Sequence, residues 1–172
     1  SILNIGGIAN ITEIEKDFKI RSRDIGPGNC LIDKWIRKNS NEKYDNEGSL
    51  AESGKTDELI LNQALDNFDV YPYYDKSLDV KDFDIFFAKG LSLENGVSTI
   101  TDFTAKLISS GINYVHDVRQ SSMSRWLVCG GGRKNKYLLK SIKNNFEKLY
   151  IDLIEKYEID GDFIESQAFA YL

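Results

Sequence analysis

Little in this chain supports metal or disulfide chemistry. It has two cysteines, Cys30 and Cys129, far apart and each in an apolar setting. Two thiols do not make a disulfide framework and are too few for a zinc site. The single histidine, His116, falls in a stretch read as a polar connector, and it gives triad or metal chemistry little to work with. No apolar run approaches the roughly 20 residues of a membrane helix. No signal peptide is visible either. Basic residues are outnumbered, 22 against 27 acidic ones, for a formal net charge of −5. Such a surface repels phosphodiester backbones, so nucleic acid is not expected as a partner. These absences point to a reduced, cytoplasmic setting without a membrane partner. The chain starts at Ser1, without Met, and enters a strand at once, which reads as a processed product or a fragment.

What is present suits one globular domain, or one lobe of a larger enzyme: 172 residues, 41% hydrophobic. Ile2-Leu3-Asn4-Ile5 is a short apolar run stopped by Gly6-Gly7. A second run spans Ile8 to Ile14. Phe18, Ile20 and Ser22 then alternate with Lys19, Arg21 and Arg23. Gly-Gly between two such runs reads as a tight hairpin. The opening stretch therefore predicts a three-stranded antiparallel meander ending at Asp24.

Asn29 is placed to cap a helix carrying Leu31, Ile32, Trp35 and Ile36 on one face. Residues 39–48 predict a polar loop, and Leu50 to Gly54 a short helical piece. Residues 56–67 predict a helix capped by Thr56. The aromatic loop from Phe68 to Tyr74 is either packing under a loop or a substrate wall. Phe83 to Phe87 fits a strand or a helical turn. Residues 97–110 predict a helix capped by Ser98, Thr99 or Thr101. Arg125 to Cys129 reads as a buried strand. A helix from about Asn135, a last strand from Tyr150 to Leu153 and a closing helix over residues 164–172 complete the chain. A meander followed by crossover helices predicts an α/β fold, a mixed sheet with helices on both faces. That order fits the ribonuclease-H-like half of an actin-type ATPase.

Three glycine stretches lie on this scaffold: Gly6-Gly7, Gly26 with Gly28, and Gly130-Gly131-Gly132. Missing side chains let backbone N–H groups approach a ligand closely, and a nucleotide phosphate is the obvious one. None is a Walker loop or a dinucleotide fingerprint. Turn geometry alone explains any one of them better than it explains all three. Asp24 ends a strand beside the second stretch. It is either a turn residue or the acid that phosphoryl transfer needs to orient or deprotonate a nucleophile. Glu165 is a second candidate acid, although acids also favour a first helical turn.

Leu3-Asn4-Ile5-Gly6-Gly7-Ile8-Ala9-Asn10-Ile11-Thr12 resembles the phosphate-contacting hairpin of anhydro-N-acetylmuramic acid kinases. Asp24-Ile25-Gly26-Pro27-Gly28-Asn29, with Leu31-Ile32-Asp33 and Trp35, resembles the same family's active-site stretch. Lys76-Ser77, Thr99-Ile100-Thr101, Val128-Cys129-Gly130-Gly131-Gly132 with Asn135, and Glu165 with Ala168-Phe169-Ala170 continue the match in family order. The resemblance implies a kinase of cell-wall sugar recycling that uses ATP and Mg²⁺. Such a kinase opens the 1,6-anhydro bond with water while phosphorylating the freed 6-oxygen. Asp24 matches the acid that activates the water. Gly26, Pro27, Gly28, Asn29, Lys76 and Glu165 fall on the sugar side. Gly6, Gly7, Asn10, Gly130, Gly131, Gly132 and Asn135 fall on the nucleotide side. No metal ligand is assigned, and a homodimer is left open.

Two positions depart from the pattern. Ile25 replaces a small polar residue, and Leu78-Asp79 stands where many members have Thr-Gly. The family's first phosphate loop is expected before Ser1 and its usual tail after Leu172. The chain is thus expected to be the C-terminal lobe, with a helical insertion at about 39–97, without the N-terminal lobe and inactive alone. The competing expectations are another sugar kinase or ATPase of the actin-like fold with a different acceptor, and a non-catalytic binding module.

Overall fold

Alternation of apolar and polar residues sets the first strands. The structure, a computed structural model, describes residues 1–14, 19–68, 76–119, 125–146 and 149–164, without the side chains of 116–119. Strands β1 (Ile2–Ile5), β2 (Ile8–Ile14) and β3 (Ile20–Pro27) form the predicted meander. Leu3 lies opposite Ile11, and Ile11 opposite Arg23. β4 (Arg125–Cys129) runs parallel beside β1, and β5 (Tyr150–Leu153) parallel beside β4. The sheet is mixed, in the order β3-β2-β1-β4-β5.

Side chains alternate across a strand, so the sheet has two distinct faces. Leu3, Ile5, Ala9, Ile11, Trp126 and Val128 are buried on one of them. Helix α4 (Leu93–Arg119) packs against β3, and α5 (Lys136–Asn144) against α4. Ile2, Asn4, Asn10 and Thr12 face the other way and are half-buried. The closing helix expected over 164–172 lies, from residue 165 on, outside the described residues.

Helix α1 (Cys30–Asn39) buries the predicted face of Leu31, Ile32, Trp35 and Ile36. Trp35 packs on α4 where Gly96 leaves room: a Cβ there would sit 2.0 Å from Trp35 Cζ2. The Trp35 indole N–H donates to the Leu93 carbonyl (2.9 Å). The short helix α2 (Ser49–Ser53) and α3 (Glu58–Asp66) also pack on α4. Among the described residues no helix is long and apolar enough to cross a membrane.

Several local expectations are corrected. α4 begins at Leu93, and Ser98, Thr99 and Thr101 are buried inside it rather than capping it. The Thr99 and Thr101 hydroxyls donate to the carbonyls of Asn95 (2.8 Å) and Val97 (2.7 Å), four residues back. That local bond lets a cap-type residue sit inside a helix. His116 also belongs to α4, not to a connector. Asp57, not Thr56, caps α3 by accepting the Ile60 N–H (3.0 Å). Thr56 instead donates to Asp102 and shares a hydrogen bond with Ser98 (3.0 Å). In the run from Phe83 to Phe87, Phe83 and Ile85 are buried ahead of a 3-10 turn, Phe86–Ala88.

Candidate functional site

Strands β1, β3 and β4 run in the same direction, so their carboxyl ends share one edge of the sheet. All three glycine stretches lie there. This is the edge where open α/β sheets bind ligands. The hairpin and the start of α1 are joined through backbone. The N–H groups of Gly28 and Cys30 donate to the Gly7 carbonyl (2.9 and 3.2 Å), and that of Asn29 to Gly6 (2.8 Å). Asn29 occupies the cap position but makes no side-chain cap bond, contrary to expectation. The Gly7 carbonyl instead accepts the first helical N–H, that of Cys30.

The glycines divide by what surrounds them. A Cβ at Gly28 would lie 2.2 Å from the Gly6 oxygen. Gly130 has φ +77°, and a Cβ there would meet Asn4 Oδ1 at 2.3 Å; one at Gly132 would meet Ile5 Cγ2 at 2.3 Å. These positions are bare because β1 or the hairpin lies against them. Gly7 and Gly131 have room: the nearest atoms to an added Cβ are Val80 Cγ2 at 4.0 Å and Asn29 Nδ2 at 3.7 Å. Gly131 borders two hollows. One, of about 120 Å³, is lined by Asn4, Gly6 and Gly130, with Gly161 and Asp162 opposite. The other, of about 300 Å³, includes Asn29, Asp33, Lys134 and Asn135. Burial raises the Asp33 carboxyl above its usual range. Asn135 is buried, and its Oδ1 accepts the Leu138 N–H (2.9 Å), which caps α5.

Asp24 stands on β3 opposite Asn10, beside a bulge. Ala9 pairs with Gly26 and Asn10 with Asp24, which leaves Ile25 as the extra residue. Bulges re-aim side chains and are frequent next to active sites. Ile25 itself is buried against α4, where a Cβ at Gly111 would lie 2.5 Å from the Ile25 Cβ. Asp24 is half-buried and lines a groove of about 680 Å³ with Arg21, Ser22, Lys76 and Ser77. Its Oδ2 accepts the Leu78 N–H at 2.8 Å. Gly26, Pro27 and Gly28 are buried and shape the turn between Asp24 and Asn29. Glu165 lies outside the described residues, as does the aromatic loop beyond Phe68. Among the described residues no group of three His, Cys, Asp or Glu side chains could hold a metal ion.

Arg133 was not anticipated, although it directly follows the glycine run. Its side chain is 5% exposed. It donates to the Gly130 carbonyl (3.0 Å), to Asp162 Oδ1 (2.7 Å) and to Glu155 Oε1. Hydrogen bonds from Arg133, and from Lys134 at 2.6 Å, hold the Asp162 carboxyl down to about 2. Elsewhere, burial pushes the Cys30 thiol up to about 11, which keeps it protonated and inert at neutral pH.

The family model described as anhydro-N-acetylmuramic acid kinase matches residues 1–172. A curated relative of that name from Pelagibacter ubique (strain HTCC1062) is 50% identical, with 99% of this chain and 47% of the relative covered. One from Rhodospirillum rubrum is 36% identical, with 100% and 45% covered. The chain thus spans about half the length of the curated relatives it matches. Among solved structures, the activator of the 2-hydroxyisocaproyl-CoA dehydratase from Clostridium difficile with bound ADPNP is similar at a TM-score of 0.51 and 13% identity, covering 88% of this chain and 53% of that one. At such identity the likeness is one of fold, and it bears out the actin-like fold read from the element order. By the match along its whole length, the chain belongs to the anhydro-N-acetylmuramic acid kinase family.

Proposed function

We propose that this chain is one lobe of an ATP-dependent kinase acting on 1,6-anhydro-N-acetylmuramic acid, with residues 39–97 as a helical insertion. The observation that carries the reading is Asp24. One carboxylate oxygen is fixed by a backbone N–H, and no donor among the described residues holds the other in the groove. A carboxylate held in this way can take a proton from water within hydrogen-bond reach. The water oxygen then bonds to the anomeric carbon as the bond to the 6-oxygen breaks. That oxygen accepts the γ-phosphoryl group, and ADP leaves. Asp24 holds the water proton until it is released to solvent. Lys76 and Glu165 belong to the sugar side of this reading, and Asn10 lies beside the acid.

The nucleotide side rests on the carboxyl edge. Gly7 and Gly131 are the glycines with room for phosphate oxygens, and Asn29 and Asn135 line the adjoining hollow. Mg²⁺ in such sites keeps several waters and takes phosphate oxygens with one or two carboxylates, neutralising phosphate charge without a closed cage of side chains. A cytoplasmic setting accords with two buried cysteines that form no disulfide.

The test is Asp24→Asn in the complete enzyme. Removing a general base lowers kcat by about 10²–10⁴-fold, with the thermal midpoint retained. Unchanged turnover would remove Asp24 from the mechanism. Activity on free sugars but not on the anhydro sugar would reject the substrate.

A further inference from the structure

We infer that residues 78–82 form a strap that positions Asp24, and that Asp79 is the side chain that stiffens it. The inference rests on the reading of Asp24 as the activating carboxylate.

The strap is fastened at each end. Leu78 gives its N–H to Asp24 Oδ2 (2.8 Å), while its side chain packs against the core. At the far end, Phe83 and Ile85 are buried. Between them Asp79 and Asp82 close a reciprocal box. The Asp79 N–H donates to Asp82 Oδ2 (2.7 Å), Asp79 Oδ1 accepts the Lys81 N–H (2.9 Å), and the Asp82 N–H donates to the Asp79 carbonyl (2.9 Å). A box of this kind fixes the chain direction at the start of a turn. Two successive N–H groups, of Leu78 and Asp79, are therefore each committed to a carboxylate. One of these carboxylates is Asp24.

The same turn reaches the hairpin, since Val80 Cγ2 is the nearest atom to a Cβ built on Gly7. Within three residues the chain passes from the acid to the glycine turn assigned to phosphate. The backbone donor at Leu78 is one that any residue supplies, and Asp79 adds a carboxylate that closes the turn. An N–H bonded to a charged carboxylate fixes the rotamer of that acid, and a reacting group held loosely loses rate more than affinity. Asp79 is thus a positioning residue that acts through Leu78.

Asp79 and Asp82 are exposed, so their replacement does not disturb the core. In the complete enzyme, Asp79→Ala is expected to lower kcat about tenfold, with KM for ATP and for the anhydro sugar unchanged and the thermal midpoint retained. Exchange of the Leu78 amide hydrogen, followed by mass spectrometry or NMR, rises at least about tenfold. Asp79→Asn, which still accepts the Lys81 N–H, restores both. On an Asp24→Asn background, Asp79→Ala causes no further loss, because the strap has no base left to position. The inference is overturned if Asp79→Ala leaves kcat and Leu78 exchange unchanged, or if it costs the same factor on both backgrounds. An Asp24→Asn enzyme with full turnover would instead sink the functional reading, while Leu78 exchange would still report whether the strap holds the carboxylate.

Discussion

A methyl group added at Gly28 would sit 2.2 Å from a backbone oxygen, whereas one added at Gly131 finds its nearest neighbour at 3.7 Å. The two substitutions therefore separate packing from ligand approach. Gly28→Ala is expected to cost about 1–3 kcal/mol of stability, because the backbone of the hairpin must move. Gly131→Ala stays within about 0.5 kcal/mol but weakens ADP binding roughly tenfold, since its open side would no longer admit a phosphate. Urea unfolding and calorimetric titration of the complete enzyme read the two effects. Equal affinity in the Gly131→Ala enzyme would remove that position from the site. The glycines were legible in the sequence as a group, but their division was not. It depends on how closely β1 and the hairpin approach them, and no local pattern encodes that distance. The two asparagines show the same limit. Asn29 and Asn135 each precede a helix, yet the Asn135 side chain caps one and the Asn29 side chain makes no cap bond.

The glycine turn after β4 and the tail after β5 are joined through Arg133. This link carries a pH dependence. The Asp162 carboxyl lies near 2 in the folded chain, below the 3.8 of a free side chain. A depressed acid contributes stability that is present above the unfolded value and lost as pH falls through the folded one. The contribution therefore persists at pH 5 and disappears between about 4 and 2. Carboxyl NMR titration should place Asp162 in that window, and Arg133→Gln should return it towards the usual aspartate range. An unchanged titration in that variant would show that the guanidinium is not the cause. Of the elements, the meander β1–β3 was readable because its period-two pattern and Gly6-Gly7 turn are local signals. α4 was read short at its start and its end. Ser98, Thr99 and Thr101 mimic a helix start, and only their bonds to carbonyls four residues back, to Thr56 and Asp57 ahead of α3, or to Tyr137 on α5 place them inside.

The sheet presents Gly7, Gly131 and the β3 acid from one side only. Relatives of about twice this length carry further chain: 45–47% of each is matched here. A phosphoryl transfer site needs groups on both sides of the transferred phosphate. The 172-residue chain by itself is therefore expected to show no ATP-dependent turnover of the anhydro sugar. Robust turnover by the isolated chain would refute the two-lobe reading. Trp35 offers a way to follow such measurements. It is 4% exposed, pressed on Gly96, and stands on the same helix whose first N–H, that of Cys30, is held by the Gly6-Gly7 turn. Trp126, the other indole, is 0% exposed within β4. In spectroscopic terms the molecule carries two dark-side lamps, one in its helical layer and one in its sheet. With Trp126 replaced by phenylalanine, the tryptophan emission that remains comes from the helix joined to the hairpin, and no added dye is needed to watch it.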